Sequence, residues 1–122
     1  MKLKNFDHED RPWGEFDRFT ANEQTSVKIL TVKPNHALSL QYHNHRDEFN
    51  RVLKGSAIII LGDETREVKE GDEFWVPRKM IHRATSGPNG YQWLEISFGD
   101  FDEADIVRLE DRYDRIKKSA DQ

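Results

Sequence analysis

The chain has 122 residues, 34% of them charged, a net charge of −4 and no cysteine. That length holds one domain with a single core, and the missing thiols exclude disulfides, thiolate catalysis and cysteine-based metal sites. Acidic and basic residues are interspersed without a basic stripe, which argues against nucleic acid as a partner, and the longest apolar run, Ala57–Leu61, falls far short of the ~20 residues of a membrane span.

Residues 1–12 are polar and charged and read as an N-terminal arm that docks late or frays. Met1–Asn5 has no apolar stretch of the signal-peptide kind, so the expectation is a soluble, cytoplasmic protein. From Trp13 the pattern changes to short segments rich in aromatic and β-branched residues. Trp13–Thr20, Ser26–Val32, Ala37–His43, Glu48–Leu53, Ser56–Leu61, Thr65–Val68, Glu73–Val76, Ile81–Thr85 and Tyr91–Phe98 read as strands. Turn residues separate them, at Pro34-Asn35, Lys54-Gly55, Gly62-Asp63, Gly71-Asp72 and Gly87–Gly90. Many short strands with frequent turn signals predict an all-β sandwich or barrel. The last segment differs. In 103–118, Ile106, Leu109, Tyr113 and Ile116 recur at helical spacing, with acidic residues early and Lys117-Lys118 late, as the helix dipole favours. A short C-terminal helix, packed by one apolar stripe on the barrel, is therefore expected, and 1–122 reads as one domain.

Gln41-Tyr42-His43 places two metal-capable side chains two residues apart, on one face of a strand. Glu48 opens the next strand after a tight connection, and an antiparallel return brings its carboxylate toward His43. His82 follows a proline-bearing turn much later and completes the set. Two imidazoles, a carboxylate and an amide oxygen form a mixed nitrogen and oxygen site suited to one divalent ion of the Zn, Mn, Fe, Co or Ni kind.

These residues carry a resemblance. Cupins share a first motif, G-x(5)-H-x-H-x(3,4)-E-x(6)-G, and a second, G-x(5)-P-x-G-x(2)-H-x(3)-N. The chain fits the first with Asn35, Gln41, His43, Glu48 and Gly55, and the second with Gly71, Pro77, Lys79, His82 and Ser86. Gln41 in place of the first histidine resembles the cupin domain of type II phosphomannose isomerases, often the C-terminal part of bifunctional mannose-1-phosphate guanylyltransferases. Arg11-Pro12-Trp13-Gly14, Leu38–His43 with Arg46 and Glu48, His82-Arg83, and Asp105–Tyr113 resemble successive motifs of that family. Two departures stand out: Asn50 where the family usually has Trp, and Asp114 in its closing Tyr-Gly-Arg. The sequence has no Gly-rich nucleotide loop, so the expected chemistry is that of the cupin part alone.

The resemblance implies a double-stranded β-helix, or cupin jelly-roll barrel, that pairs as a homodimer, with the arm Lys2–Trp13 a candidate for exchange between copies. It implies a metal-dependent aldose–ketose isomerase interconverting mannose 6-phosphate and fructose 6-phosphate. The metal set is Gln41, His43, Glu48 and His82. Arg46 and Arg83 lie beside ligands and suit a phosphate by their planar, two-pronged geometry. Lys79 is a further candidate for the anion, and Asn50 shares the inward face with Glu48 and makes the pocket roomier or more polar. Arg108 and Arg115 read as a solvated surface, and Trp13, Trp75 and Trp93 as packing. The proton carriers are His45, at the pocket mouth, and Glu95. Glu95 lines the cavity only if Tyr91, Trp93 and Glu95 face inward. The opposite face, Leu94, Ile96 and Phe98, makes an equally good core stripe. Two other readings stand beside the isomerase: a different sugar-binding or sugar-modifying metal cupin, epimerase-like or dioxygenase-like, and a non-catalytic binding module.

Overall fold

A computed structural model of the chain describes residues 3–116, and it is built of nine strands. They are β1 (Asp7–Arg11), β2 (Gly14–Arg18), β3 (Thr25–Val32), β4 (Leu40–Tyr42), β5 (Arg46–Leu61), β6 (Glu64–Lys69), β7 (Glu73–Val76), β8 (His82–Gly99) and β9 (Val107–Glu110). All pairings are antiparallel. Among the described residues no helix is long and apolar enough to cross a membrane.

Two long strands organise the molecule. β5 and β8 run alongside each other from Arg46↔Gly99 to Leu61↔His82, with register shifts at Val52/Lys54 and Gly55/Ala57. The sequence breaks at Lys54-Gly55 and at Gly87–Gly90 are therefore bends within continuous strands, which let one strand serve both walls of the barrel. The bend has a steric requirement. A Cβ on Gly55 would fall on the Gly90 carbonyl oxygen, and both glycines have positive φ, 76° and 85° respectively. Only residues without a side chain bring the two backbones this close. β6 and β7 pair with β5, while β3 and β4 pair with β8.

The core follows from the period of two. Ala57, Ile59 and Leu61 of β5 point inward and are buried with Val68, Phe74, Val76, Ala84 and Trp93, while Ile58 between them is half exposed. Three residues stand where the family pattern has glycine: Asn35, Lys79 and Asp114. All three are left-handed, with φ of 63°, 69° and 59°. Asn and Asp take that conformation readily, whereas Lys79 holds it at some cost, against a bond from its N–H to the His43 carbonyl at 2.6 Å.

Two expectations need correction at the ends. The arm, 1–12, is not a frayed segment where it is described. Asp7–Arg11 pairs with β2 as a hairpin, and the series of mutually tilted rings Phe6, Phe19 and Phe49, with centroids 5.8 and 5.4 Å apart, docks its base on β5. Trp13, expected to pack, sits at the hairpin tip and is 72% exposed. The short helix over 103–118 does not form in its described part. Asp102 instead caps a turn by accepting the Ala104 N–H at 2.9 Å, and Val107–Glu110 forms β9 on the free edge of β4. An open edge offers a full ladder of backbone partners. The proposed stripe is also not one buried face, because Ile106 meets the cavity while Leu109, Tyr113 and Ile116 stay exposed. Lys117 and Lys118 lie outside the described residues.

Candidate metal centre and cavity

The barrel encloses a cavity of about 320 Å³, at the small end of the ~300–1,000 Å³ typical of small-molecule sites. Its apolar wall is made by Leu30, Ile59, Phe74, Val76 and Trp93. The rest of its lining is polar and brings together Gln41, His43, Glu48 and His82 with Arg46, Asn50 and Glu95.

Different elements deliver the four metal-capable residues. Gln41 lies on β4 opposite His82, the first residue of β8. Glu48 lies on β5, between Val76 of β7 and Ser97 of β8. His43 follows β4 directly. His43, Glu48 and His82 can each turn one ligand atom to within 4.8 Å of the others. His43 Nε2 stands 3.5 Å from Glu48 Oε2, and the imidazole centroids are 5.2 Å apart. His43 and Glu48 are buried and His82 is largely so.

The hydrogen bonds fit this set to a metal. His43 Nδ1 donates to the Asp105 carbonyl at 2.7 Å, and His82 Nδ1 donates to the Met80 carbonyl at 2.9 Å. A carbonyl only accepts, so both protons are fixed on Nδ1 and both Nε2 atoms keep a lone pair for the site. Burial lowers the pKa of both histidines from the ordinary 6.5, which keeps them neutral, the form a metal needs. Arg46 donates from Nε to one Glu48 oxygen at 3.0 Å, leaving the second oxygen for another partner. Gln41 turns its amide nitrogen to His43 Nε2 at 3.3 Å and accepts the Ser39 hydroxyl on its oxygen. Half a turn about the amide exchanges those atoms and presents the oxygen instead, with Ser39 then accepting an N–H. The donor set therefore fits one divalent ion of the borderline kind.

The remaining predicted residues divide. Glu95 is buried and lines the cavity with Trp93, so the inward face of β8 carries the carboxylate. Burial, and then the nearby Glu48 charge, push its pKa up from 4.5 to about 8. Arg46 and Asn50 are also buried in the polar lining, and Asn50 Nδ2 has no hydrogen-bond partner. Arg83 borders the cavity, but its guanidinium donates to the Leu38 carbonyl at 3.0 Å and to the Glu110 carboxylate at 3.0 Å. It ties the β4 and β9 side to β8. His45 and Lys79 are exposed and do not line the cavity; His45 borders an outer hollow with Asp100 and Asp102.

Three contributors were not legible as site residues. Asp105 holds the loop carrying His43, accepting the backbone N–H of Asn44 at 2.8 Å and of His45 at 2.9 Å. Partial burial raises its pKa, but those bonds outweigh it and leave the carboxyl below its ordinary value. Arg108 and Arg115, expected on the surface, border the cavity. Asp105 and Arg108 stand in the Asp105–Tyr113 run, which was the only sequence signal available for them.

Comparison with known proteins identifies the family and the fold. A family model described as mannose-6-phosphate isomerase C-terminal matches residues 2–111. A mannose-1-phosphate guanylyltransferase, ManC, of Salmonella typhimurium is 36% identical over 87% of this chain, and the alginate biosynthesis protein AlgA of Pseudomonas aeruginosa is 38% identical over 90% of it. The chain spans only 22% and 23% of those relatives. Among solved structures, a Bacillus subtilis oxalate decarboxylase variant superposes with TM-score 0.65 at 20% identity, covering 89% of this chain and 32% of that one. A dTDP-6-deoxy-D-glucose-3,5-epimerase of Legionella pneumophila gives TM-score 0.65 at 9% identity, over 85% of this chain and 69% of that one. At these identities the structural matches speak for the fold, which is the double-stranded β-helix of cupins.

Proposed function

The chain belongs to the mannose-6-phosphate isomerase C-terminal family, and on that premise we propose that it is a metal-dependent aldose–ketose isomerase acting on mannose 6-phosphate and fructose 6-phosphate. The observation that carries this reading is the buried trio His43, Glu48 and His82, with both Nε2 lone pairs directed at a cavity that also holds Glu95. Gln41, His43, Glu48 and His82 hold one divalent ion, of the Zn, Mn, Fe, Co or Ni kind. When bound, that ion supplies Lewis-acid polarisation of the sugar oxygens on C1 and C2.

The isomerisation moves a proton from C2 to C1 and a hydroxyl proton from O2 to O1. Glu95 is the carrier for the carbon-bound proton. A carboxyl titrating near pH 8 gains and loses its proton at small cost near neutrality, which is what a group acting alternately as base and acid requires. The exposure of His45 outside the cavity speaks for Glu95 over His45 in this role. Arg46 holds Glu48 in place, and the apolar wall around Trp93 excludes water from the reacting carbons.

One observation favours a second reading. Asn50 replaces the aromatic residue usual in the family, and its buried, unpartnered Nδ2 offers a donor that a different sugar would satisfy. That would make the chain another sugar-modifying metal cupin. A coupled assay with mannose 6-phosphate, with and without chelator, separates the two. Turnover that chelator abolishes and divalent metal restores supports the isomerase; no turnover with any added metal rejects it. A homodimer belongs to the same reading. It is supported by the outer face of β3, where Val27 and Ile29 are 57% and 59% exposed beside an open strand edge. Light scattering in solution tests it, and a monomer at micromolar concentration rejects it.

A further inference from the structure

Five cations border the cavity: Lys28, Arg46, Arg83, Arg108 and Arg115. Four of them are matched. Lys28 pairs with Glu103 at 3.3 Å, Arg46 with Glu48 at 3.0 Å, Arg83 with Glu110 at 3.0 Å and Arg115 with Asp111 at 2.8 Å. Arg108 differs. Among the described residues it forms no ion pair, and its Nε is buried with no hydrogen-bond partner. Arg108 as a whole is half-buried, and a buried guanidinium N–H without an acceptor is costly, so such groups in native proteins normally have a partner to answer them.

The register shows what Arg108 faces. On β9 it lies directly opposite Gln41 of β4, and Gln41 lies directly opposite His82 of β8. Residues opposed across neighbouring strands share a face, so Arg108, Gln41 and His82 form a row across three strands. Two strand spacings of ~4.8 Å set Arg108 apart from His82, a separation that a six-carbon sugar carrying a terminal phosphate bridges.

The geometry points to Arg108 as the positioning residue that binds the phosphate end of the substrate, in place of Arg83, whose donors are already taken. The identity of the anion as a sugar phosphate rests on the isomerase reading; the anion site itself does not. A guanidinium binds two phosphate oxygens at once and fixes orientation as well as charge. Binding energy at that remote end would hold C1 and C2 against the polar lining of the cavity.

The test is calorimetric titration of the full chain with inorganic phosphate at low salt, repeated in chelator so that binding to a metal is excluded. Arg108→Gln is expected to weaken phosphate binding about 10- to 100-fold, the size of one lost charge-assisted hydrogen bond. Arg108→Lys is expected to fall between the variant and the wild type, and mannose binding to stay unchanged. In turnover, Arg108→Gln should raise KM for mannose 6-phosphate with a smaller effect on kcat. Phosphate binding by Arg108→Gln within twofold of wild type overturns the proposal, and so does a wild-type chain that binds no phosphate. If Arg108→Gln does not fold, phosphate should still protect Arg108 of the wild type from phenylglyoxal, read by peptide mass; no protection overturns the proposal. Phosphate binding that depends on Arg108, without turnover of mannose 6-phosphate, keeps the anion site and removes the isomerase. Turnover with an unchanged KM in Arg108→Gln does the reverse.

Discussion

The two halves of β5 share one backbone and one period of two, in opposite phase across the register shifts between Val52 and Ala57, yet do opposite work. Arg46, Glu48 and Asn50 point inward from the first half, and Ala57, Ile59 and Leu61 from the second. They are equally hidden from water, with Glu48 4% and Ile59 1% exposed. Burial therefore does not distinguish them; chemistry does. Apolar side chains in the second half gain about 1.5–3 kcal/mol each from leaving water. Arg46 and Glu48 in the first half lose solvation, and they are tolerated because they pair with each other at 3.0 Å and Arg46 also donates to the Asp102 carbonyl at 3.1 Å. The apolar half holds the barrel closed, and the polar half gives up part of that stability to keep ionisable groups inside it.

The sharpest way to break this contrast is to remove a metal ligand. His82→Ala or Glu48→Gln is expected to lose the divalent ion and all chelator-sensitive turnover while the protein stays folded, measured by metal content and circular dichroism. Full metal occupancy in either variant would mean the ligands lie elsewhere. Next in size, Glu95→Gln is expected to lower turnover about 100- to 10,000-fold with metal retained, as for loss of a general acid–base group. It should also change the pH dependence of stability in chelator-treated protein. Glu95 keeps its proton up to about pH 8 when folded, but only to about its ordinary 4.5 when unfolded. The unfolded chain thus binds fewer protons across that window, and wild-type stability falls as pH rises through it. Glu95→Gln removes this slope and gains melting temperature over wild type at pH 8 and above; parallel melting curves for the two proteins would contradict a buried, titrating Glu95.

In the apolar half the same kind of truncation should act on folding alone. Ile59→Ala is expected to cost about 2–5 kcal/mol in urea denaturation, and metal affinity in the fraction that stays folded should be near wild type. A large loss of affinity there would show that the halves are not separable. The smallest effect is expected at the support for His43. Asp105→Ala leaves the carbonyl acceptor but removes the carboxylate that holds the Asn44 and His45 N–H groups, and should weaken metal binding about tenfold. Competition against a metal indicator dye measures it, and an affinity equal to wild type would remove Asp105 from the site.

Much of this contrast is legible in the chain order of residues, because the period of a strand is short and strict. Gln41 and His43 two apart, and Glu48 after a tight connection, already predict a shared inward face. Glu95 was not decided that way. Ile96 beside it is also buried, on the outer face, where it lies opposite Phe49, against which Phe19 packs. A strand covered on both faces carries two apolar stripes, so alternation alone does not say which one meets the cavity. The segment 103–118 shows the opposite failure. Its helical spacing was real as a pattern, but the open edge of β4 gave the Val107–Glu110 backbone a ladder of bonds, which local spacing does not reveal.

The sequence by itself determined the all-β class and, through its two motifs, the resemblance to cupins, and it picked out side chains whose chemistry suits a metal, because strand period, turn residues and ligand chemistry are local properties. Only the tertiary structure decided that Glu95 faces the cavity, that Arg83 is already paired, that Asp105 supports His43 and that Arg108 Nε is left without a partner among the described residues. Each of those depends on which strands meet across the barrel, and that is fixed by long-range pairing and by the bends at Gly55 and Gly90.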